Sequence, residues 1–179
     1  MPIVGQKAPE FKMVTTKNLD TLDVEVKLDD YRGKWLVLFF YPLDFTFVCP
    51  TEILAINERA QEFKELNCEI LGVSVDSVHS HRAWIETPRE KGGLGRLNFP
   101  LASDITKEVS RAYDVLIEDK GVALRGLFII DPEGMVRYQV VHELNVGRSV
   151  DETLRVLKAL QTGEMCAANW KPGEPALQV

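Results

Sequence analysis

Cys49 stands in the run Pro42, Leu43, Asp44, Phe45, Thr46, Phe47, Val48, Cys49, Pro50, Thr51, Glu52, and its surroundings suit nucleophilic chemistry. An apolar, strand-like stretch at 35–41 comes before it and a helix-like segment follows, which predicts its sulfur at a helix N-terminus. Unpaired N–H groups and the positive end of the macrodipole stabilise an anion there, so a thiol at that place favours the thiolate, the form that attacks. A lone cysteine beside an apolar strand is more often a packing residue. Thr46 and the flanking prolines Pro42 and Pro50 weigh against that reading. A reductase that shuttles a disulfide locally keeps a second cysteine three residues after the first, and this chain has Glu52 there. Cys49 therefore either acts alone through a sulfenic acid or finds a distant partner. Cys166, in a polar C-terminal stretch, is the candidate.

Arg125 opens a very apolar run. It could be a strand-surface arginine in an ion pair of little worth, but if buried it needs an anion, which a Cys49 thiolate would provide. Thr46 can donate and accept through its hydroxyl, and taken alone it reads as a helix-capping threonine. Cys68 opens a buried strand and reads as a small core residue. His79, His81 and His142 lack ligand-like spacing and read as solvated or packed.

The elements that must position these residues follow from periodicity. Strand-like runs lie at 35–41, 70–75, 124–130 and 136–141, each dominated by β-branched or aromatic residues. The first is almost wholly apolar, which predicts a central strand covered on both faces. Ile53, Ile56, Ala60 and Phe63 draw one stripe on a helix over 50–66, and strand, helix, strand of this length implies a parallel crossover. A second helix is expected over 78–87, stopped by Pro88, and Gly92, Gly93, Leu94, Gly95 form a loop. Asp131, Pro132, Glu133, Gly134 predict a tight turn between the last two strands. Ser149 and Glu152 suggest a capping box for a closing helix with Val150, Leu154 and Leu157 on its apolar stripe, ended by Gly163. This order predicts an α/β, thioredoxin-like fold with N-terminal strand additions and a short helical insertion near 107–113. It consists of one domain over 1–162 and a C-terminal tail over 163–179. Cys49 falls at the carboxyl edge of a central strand, where open sheets carry their reactive groups.

The 179 residues suffice for one full core without disulfide or metal staples. A net charge of -6 and the absence of a basic stripe with interleaved aromatics argue against nucleic acid as a partner. No secretion-type leader and no run long enough to span a membrane are present, so a cytoplasmic location and no membrane partner are expected. Three cysteines without C-x-x-C spacing suit neither a disulfide framework nor a zinc site, so any disulfide is expected to be transient, with no metal and no cofactor.

PxxxTxxC from Pro42 to Cys49, with Pro50, Thr51 and Glu52 following, resembles the peroxidatic motif of the peroxiredoxins, the alkyl hydroperoxide reductase C and thiol-specific antioxidant family. The typical two-cysteine subgroup is matched further by His81, Ala83 and Trp84, by the GGLG loop, by RGLFIIDPEG from Arg125 to Gly134, by VGRSVDETLR around Gly147, and by GEMCAANWKPG around Cys166. The resemblance spans nearly the whole chain. It implies a thiol-dependent peroxidase acting on hydrogen peroxide and organic hydroperoxides. A thiolate attacks one peroxide oxygen in line, so negative charge grows on the leaving oxygen and must be met by donors. By resemblance Cys49 attacks, Thr46 orients the peroxide, Arg125 stabilises thiolate and leaving oxygen, and Pro42 shields a dry pocket. Glu52 and Arg148 belong to the network that fixes Arg125. Their plainer readings are an acid in a helix's first turn and a charge ahead of a capped helix. Cys166 of a partner subunit then forms an intersubunit disulfide, which thioredoxin or a dedicated disulfide reductase reopens. A homodimer is implied, and the family also builds decamers of five dimers.

Two positions depart from the family pattern. His79 stands where relatives carry phenylalanine near the contact between dimers, so an imidazole that gains charge near neutral pH is expected to weaken a decamer when protonated. The GGLG loop is present, but the chain ends Pro175, Ala176, Leu177, Gln178, Val179 without the Tyr-Phe extension of overoxidation-sensitive relatives. Resistance to overoxidation is the expectation. Two other functions compete: a ring-forming chaperone-like holdase, and a thiol–disulfide oxidoreductase, which Glu52 argues against.

Overall fold

Leu36, Val37, Leu38, Phe39 and Phe40 offer no polar face to water. In the structure, a computed structural model that describes residues 3–178, all five are fully buried in the middle strand of a five-stranded sheet. Among the described residues the chain order is β1 (Lys12–Val14), β2 (Glu25–Lys27), β3 (Trp35–Phe40), α1 (Val48–Glu58), α2 (Ala60–Glu65), β4 (Cys68–Ser74), α3 (Val78–Glu86), β5 (Leu101–Ser103), α4 (Glu108–Ala112), β6 (Leu116–Ile117), β7 (Val122–Ala123), β8 (Arg125–Ile130), β9 (Val136–His142) and α5 (Val150–Thr162). The sheet runs β5-β4-β3-β8-β9. β3, β4 and β5 are parallel, whereas β8 is antiparallel to β3 and β9 to β8. β1 pairs antiparallel with β2 as the N-terminal addition, and β6 with β7 as a separate short ribbon.

The residues form two compact units, Met1–Arg148 and Ser149–Val179. In the first, alternate residues of β3 face two cores. Phe40 packs against Tyr113 and Phe128 with ring centroids 5.4 and 5.9 Å away, while Phe39 meets Phe99 at 5.9 Å and Tyr41 meets Trp84 at 6.0 Å. The turn at Asp131 forms as its residue types dictate. Asp131 Oδ1 accepts from the backbone N–H groups of Glu133 (3.0 Å) and Met135 (2.8 Å), and Gly134 takes φ 83°.

Several expected boundaries shift. The helix expected over 50–66 is two helices that meet at Arg59, where φ −104° and ψ 6° leave the helical region. The apolar stripe hides this break because Ile53 and Ile56 on α1 and Phe63 on α2 are all buried. α1 also starts earlier, at Val48, so Cys49 lies inside the first turn and not ahead of it. β5 escapes the periodicity because only three residues pair with β4. α4 forms within the expected insertion because Asp104 accepts from the N–H groups of Val109 (3.1 Å) and Ser110 (2.7 Å) at its start.

In the second unit, Ser149 caps α5 by accepting from Glu152 N–H at 3.2 Å. The capping box is half made, because the Glu152 carboxylate is held by Arg155 at 2.6 and 2.7 Å and a charged partner outweighs a neutral N–H. Gly163, at φ 67°, ends the helix. Arg155 Nη1 then donates to Trp170 O (3.0 Å), and Leu177 N–H to Met165 O (2.9 Å). These bonds group α5 with the following residues in the unit Ser149–Val179. No helix among the described residues is long and apolar enough to cross a membrane.

Gly72 in β4 provides a test of how tightly the face carrying Phe39 is packed. A Cβ there would lie 2.8 Å from Leu101 Cδ2 and 2.8 Å from Phe39 Cζ. Gly72→Ala is expected to lower stability by about 1–3 kcal/mol through overpacking, read as a lower urea midpoint at unchanged m value. An unchanged midpoint would show that this face is slack.

Candidate active site

The site is built where β3 ends and α1 begins. Phe47 is the N-cap residue of α1 but supplies no side-chain oxygen to the first turn. Pro50 has no N–H to leave unpaired there. The buried positions of α1 are Cys49, Glu52, Ile53, Ile56 and Asn57, spaced by three and four, so Cys49 and Glu52 share the inward face one turn apart. Cys49 is fully buried.

Two arginines converge on that face. Arg125, the first residue of β8 and 3% exposed, donates from Nη1 to Cys49 Sγ at 3.4 Å and to Glu52 Oε2 at 2.7 Å, and from Nε to Leu144 O at 2.8 Å. Arg148 approaches from the other side. Its backbone N–H and Nε each donate to Glu52 Oε1 at 2.8 Å, and Nη2 donates to Oε2 at 2.9 Å. Arg148 Nη1 ties the group to the sheet by donating to Phe40 O (2.7 Å) and Gly126 O (2.6 Å), and the guanidinium lies 5.4 Å over the Phe39 ring. Burial alone would push the Glu52 carboxyl up. The hydrogen bonds and charge of Arg148, with the charge of Arg125, more than reverse this and hold it below its ordinary value.

The charge balance is the chemical point. Two guanidinium groups and one carboxylate leave a positive surplus beside a buried sulfur, and a thiolate neutralises it. Arg125 Nη2 makes no hydrogen bond within the described residues, so one more donor remains for an oxygen arriving at Sγ. No group of three His, Cys, Asp or Glu among the described residues could hold a metal ion.

Four of the seven residues singled out in the sequence, Cys49, Glu52, Arg125 and Arg148, are thus bonded into one cluster. Thr46 is half-buried three residues before Cys49, and its hydroxyl donates to Leu43 O at 2.9 Å. Pro42, half-buried, follows the last residues of β3 and opens the loop. Cys166 belongs to the second unit, where its Sγ lies 3.6 Å from Thr162 Oγ1 and 4.0 Å from Ala159 O. Cys68 behaves as core. It is 5% exposed, burial pushes its thiol up to about 12, and its Sγ–H donates to Glu69 O at 3.4 Å.

A buried polar network under the loop escapes sequence reasoning. Asp44 accepts from Tyr41 OH, Ser80 Oγ and His81 Nδ1, each at 2.8 Å. Spacing left His81 as either solvated or packed, and it is fully buried. A polar Asp44 between Leu43 and Phe45 was the available signal.

Residues 4–139 match the model of the AhpC/TSA family. A Clostridium pasteurianum protein encoded in a rubredoxin operon and named as a peroxiredoxin is 62% identical over 175 residues, covering 98% of each chain. The mitochondrial thioredoxin-dependent peroxide reductase of Mus musculus is 58% identical over 181 residues, 99% of this chain and 70% of that protein. The reduced 2-Cys peroxiredoxin of Plasmodium vivax superposes with a TM-score of 0.94 at 44% identity, covering 99% of this chain and 94% of the other. The chain belongs to the AhpC/TSA family and, within it, to the typical two-cysteine peroxiredoxins. Its fold is the thioredoxin-like α/β fold of those structures.

Glu52 gives the site a pH signature. Its folded pKa lies below the ordinary 4.5, so its contribution to stability is complete above 4.5 and is lost as pH falls through the folded value. Glu52→Gln is expected to cost about 3–5 kcal/mol at neutral pH. In denaturant melts, the gap from the native protein should shrink on acidification below 4.5. A gap independent of pH would mean that the carboxylate charge carries no part of it.

Proposed function

We infer that this peroxiredoxin is a thiol-dependent peroxidase in which Cys49 is the attacking group and Cys166 the resolving one. The observation that carries the reading is the Arg125 guanidinium 3.4 Å from a fully buried Cys49 Sγ, itself braced by Glu52 and Arg148. The thiolate attacks the nearer peroxide oxygen. An Sγ–O bond forms as the O–O bond breaks, the sulfur is oxidised to sulfenic acid, and the departing hydroxide or alkoxide takes a proton to leave as water or alcohol. Arg125 meets the charge that grows on the departing oxygen, and the Thr46 hydroxyl orients the peroxide. Pro42, which has no N–H, helps keep the mouth of the site dry.

A Cys166 thiol of a second subunit then condenses with the sulfenic acid, releasing water and leaving a disulfide. A dithiol of the thioredoxin type takes that disulfide over by exchange and restores both thiols. The mouse relative is named a thioredoxin-dependent peroxide reductase, which supports this class of reductant. Two features support assembly. β9 lies at the end of the strand order with an open edge, which favours pairing with a second copy. Leu43, Phe45 and Phe47, the last 94% exposed, form an apolar group on the loop that suits a contact between dimers. His79 is exposed at the start of α3. Glu52, held by both arginines, occupies the place a local dithiol would need and disfavours a thiol–disulfide oxidoreductase.

Stopped-flow mixing with hydrogen peroxide tests the assignment. Cys49→Ser is expected to abolish turnover, and Arg125→Ala to slow the attack by about 10²–10³-fold. Retained turnover in Cys49→Ser overturns the reading. Oxidised Cys166→Ser should lack the covalent dimer on a non-reducing gel. A dimer at full yield would remove Cys166 from the cycle.

A further inference from the structure

We propose that Asp44 and His81 are positioning residues for the peroxide step, a buried hydrogen-bonded pair that clamps the turn carrying Thr46 into the Cys49 helix. The inference rests on the peroxidase reading above and deepens it by two residues that touch neither substrate nor sulfur.

The turn between β3 and α1 needs a clamp because its backbone is strained. Phe45 takes φ 53°, a left-handed conformation that bulky side chains rarely adopt and that persists only when the surroundings hold it. Its own ring is a weak anchor, since Phe45 is 52% exposed and leans on Trp84 at 5.8 Å between ring centroids. The neighbouring Asp44 is the anchor instead. Its side chain is 1% exposed, and its carboxylate accepts from three donors, Tyr41 OH at 2.8 Å, Ser80 Oγ at 2.8 Å and His81 Nδ1 at 2.8 and 3.0 Å. Its backbone N–H donates to Asp76 Oδ2 at 2.9 Å, an oxygen also held by Ser74 Oγ at 2.6 Å. The turn is therefore fastened through both side chain and backbone to the ends of β3 and β4 and to α3.

His81 extends the clamp across the sheet. It is fully buried, and its Nε2 lies 3.0 Å from Ala102 O in β5. A carbonyl can only accept, so Nε2 carries a proton. The other ring nitrogen, Nδ1, faces the Asp44 carboxylate, so the imidazole bridges β5 and the turn with one nitrogen on each. A shorter or differently branched side chain could satisfy one of these two bonds but not both.

The functional consequence follows from chain distance. Thr46 is two residues beyond Asp44, and its hydroxyl is aimed by a bond to Leu43 O, the residue just before Asp44. Releasing Asp44 lets the Leu43–Thr46 turn relax and moves the hydroxyl that orients the peroxide. The Cys49 thiol, fixed by α1 and Arg125, stays where it is. Misplacement of an orienting group by about 1 Å can cost about 10²-fold in rate.

Full-length native protein and four variants, matched for oligomeric state by size-exclusion chromatography, would be compared in two reactions at Cys49. One is reduction of hydrogen peroxide by stopped flow, which needs the orienting hydroxyl. The other is alkylation by iodoacetamide, which does not. Asp44→Asn and His81→Gln are expected to lose about tenfold or more in peroxide rate while alkylation stays within about twofold. His81→Asn keeps a donor near the Nδ1 position and should retain most of the peroxide rate. His81→Gln keeps only the donor towards Ala102 and should not. Ser80→Ala, which removes one of three donors from a half-buried position, should show the same selective loss on a smaller scale and serves if the others fail to fold. Peroxide rates at the native level in folded Asp44→Asn and His81→Gln, or in Ser80→Ala when only it folds, overturn the proposal. Parallel loss of both reactions also overturns it, because Cys49 itself would then have been disturbed. Equal rates in His81→Asn and His81→Gln overturn the part assigned to the bond between Nδ1 and Asp44. A native protein that fails to reduce peroxide while alkylating normally would sink the underlying peroxidase reading instead.

Discussion

Two guanidinium groups buried around a single carboxylate, beside a sulfur that water does not reach, set the terms for the rest of this molecule. A buried charge is tolerated only when it is paired and fully hydrogen-bonded. Glu52 satisfies most of that demand by receiving both arginines, and the backbone carbonyls of Phe40, Gly126 and Leu144 take up further donors. One positive charge is left over beside Cys49, so the stability of the cluster and the electrostatic setting of the sulfur are the same fact seen from two sides.

Such a cluster can be assembled only from distant parts of the chain, and the sheet order accomplishes this. β8 lies next to β3, with Phe39 opposite Leu127, so extending the register by two residues sets Arg125 level with Tyr41, where the chain leaves for the Cys49 loop. β9 returns antiparallel to β8, with His142 opposite Arg125, and delivers residues 144–148 to the same end. The Arg148 bonds to Phe40 and Gly126 lock together the two strands that carry the two halves of the site. The position three residues after Cys49, which in a local dithiol enzyme holds sulfur, here carries the carboxylate that organises both arginines. The first turns of α1 therefore offer Cys49 no second sulfur.

A second buried polar pair governs the loop in front of the cluster. Asp44 and His81 hold a turn whose Phe45 backbone is strained, so the two pairs divide the work: one fixes the sulfur and its electrostatic partner, the other fixes the route by which the chain reaches them. Each sits at the end of a parallel strand and takes its partners from elements that the sheet brings close.

Much of this was legible in the residues. The unbroken apolar run of β3, the Asp131 turn, the amphipathic pattern of α5 and the place of Cys49 at the start of a helix are local, because each depends on residues within a turn or two of one another. Arg125 could be suspected as well, since a charge at the head of a buried strand demands a counter-ion. Other features resisted. The break at Arg59 keeps the apolar stripe in phase, so periodicity passes over it. β5 is too short to carry a pattern. His81 has no ligand-like spacing because its partners, Asp44 and Ala102, lie on other strands and loops. By itself the sequence determined which groups could do chemistry and which segments would be strands and helices, because side-chain type and period act locally. Only the tertiary structure decided that Glu52 would be shared by two arginines, that a positive charge would be left over at the sulfur, and that Asp44 would meet His81. Those are pairings of buried charges across the sheet, and only the folded register sets the distances and the loss of water that give them their strength.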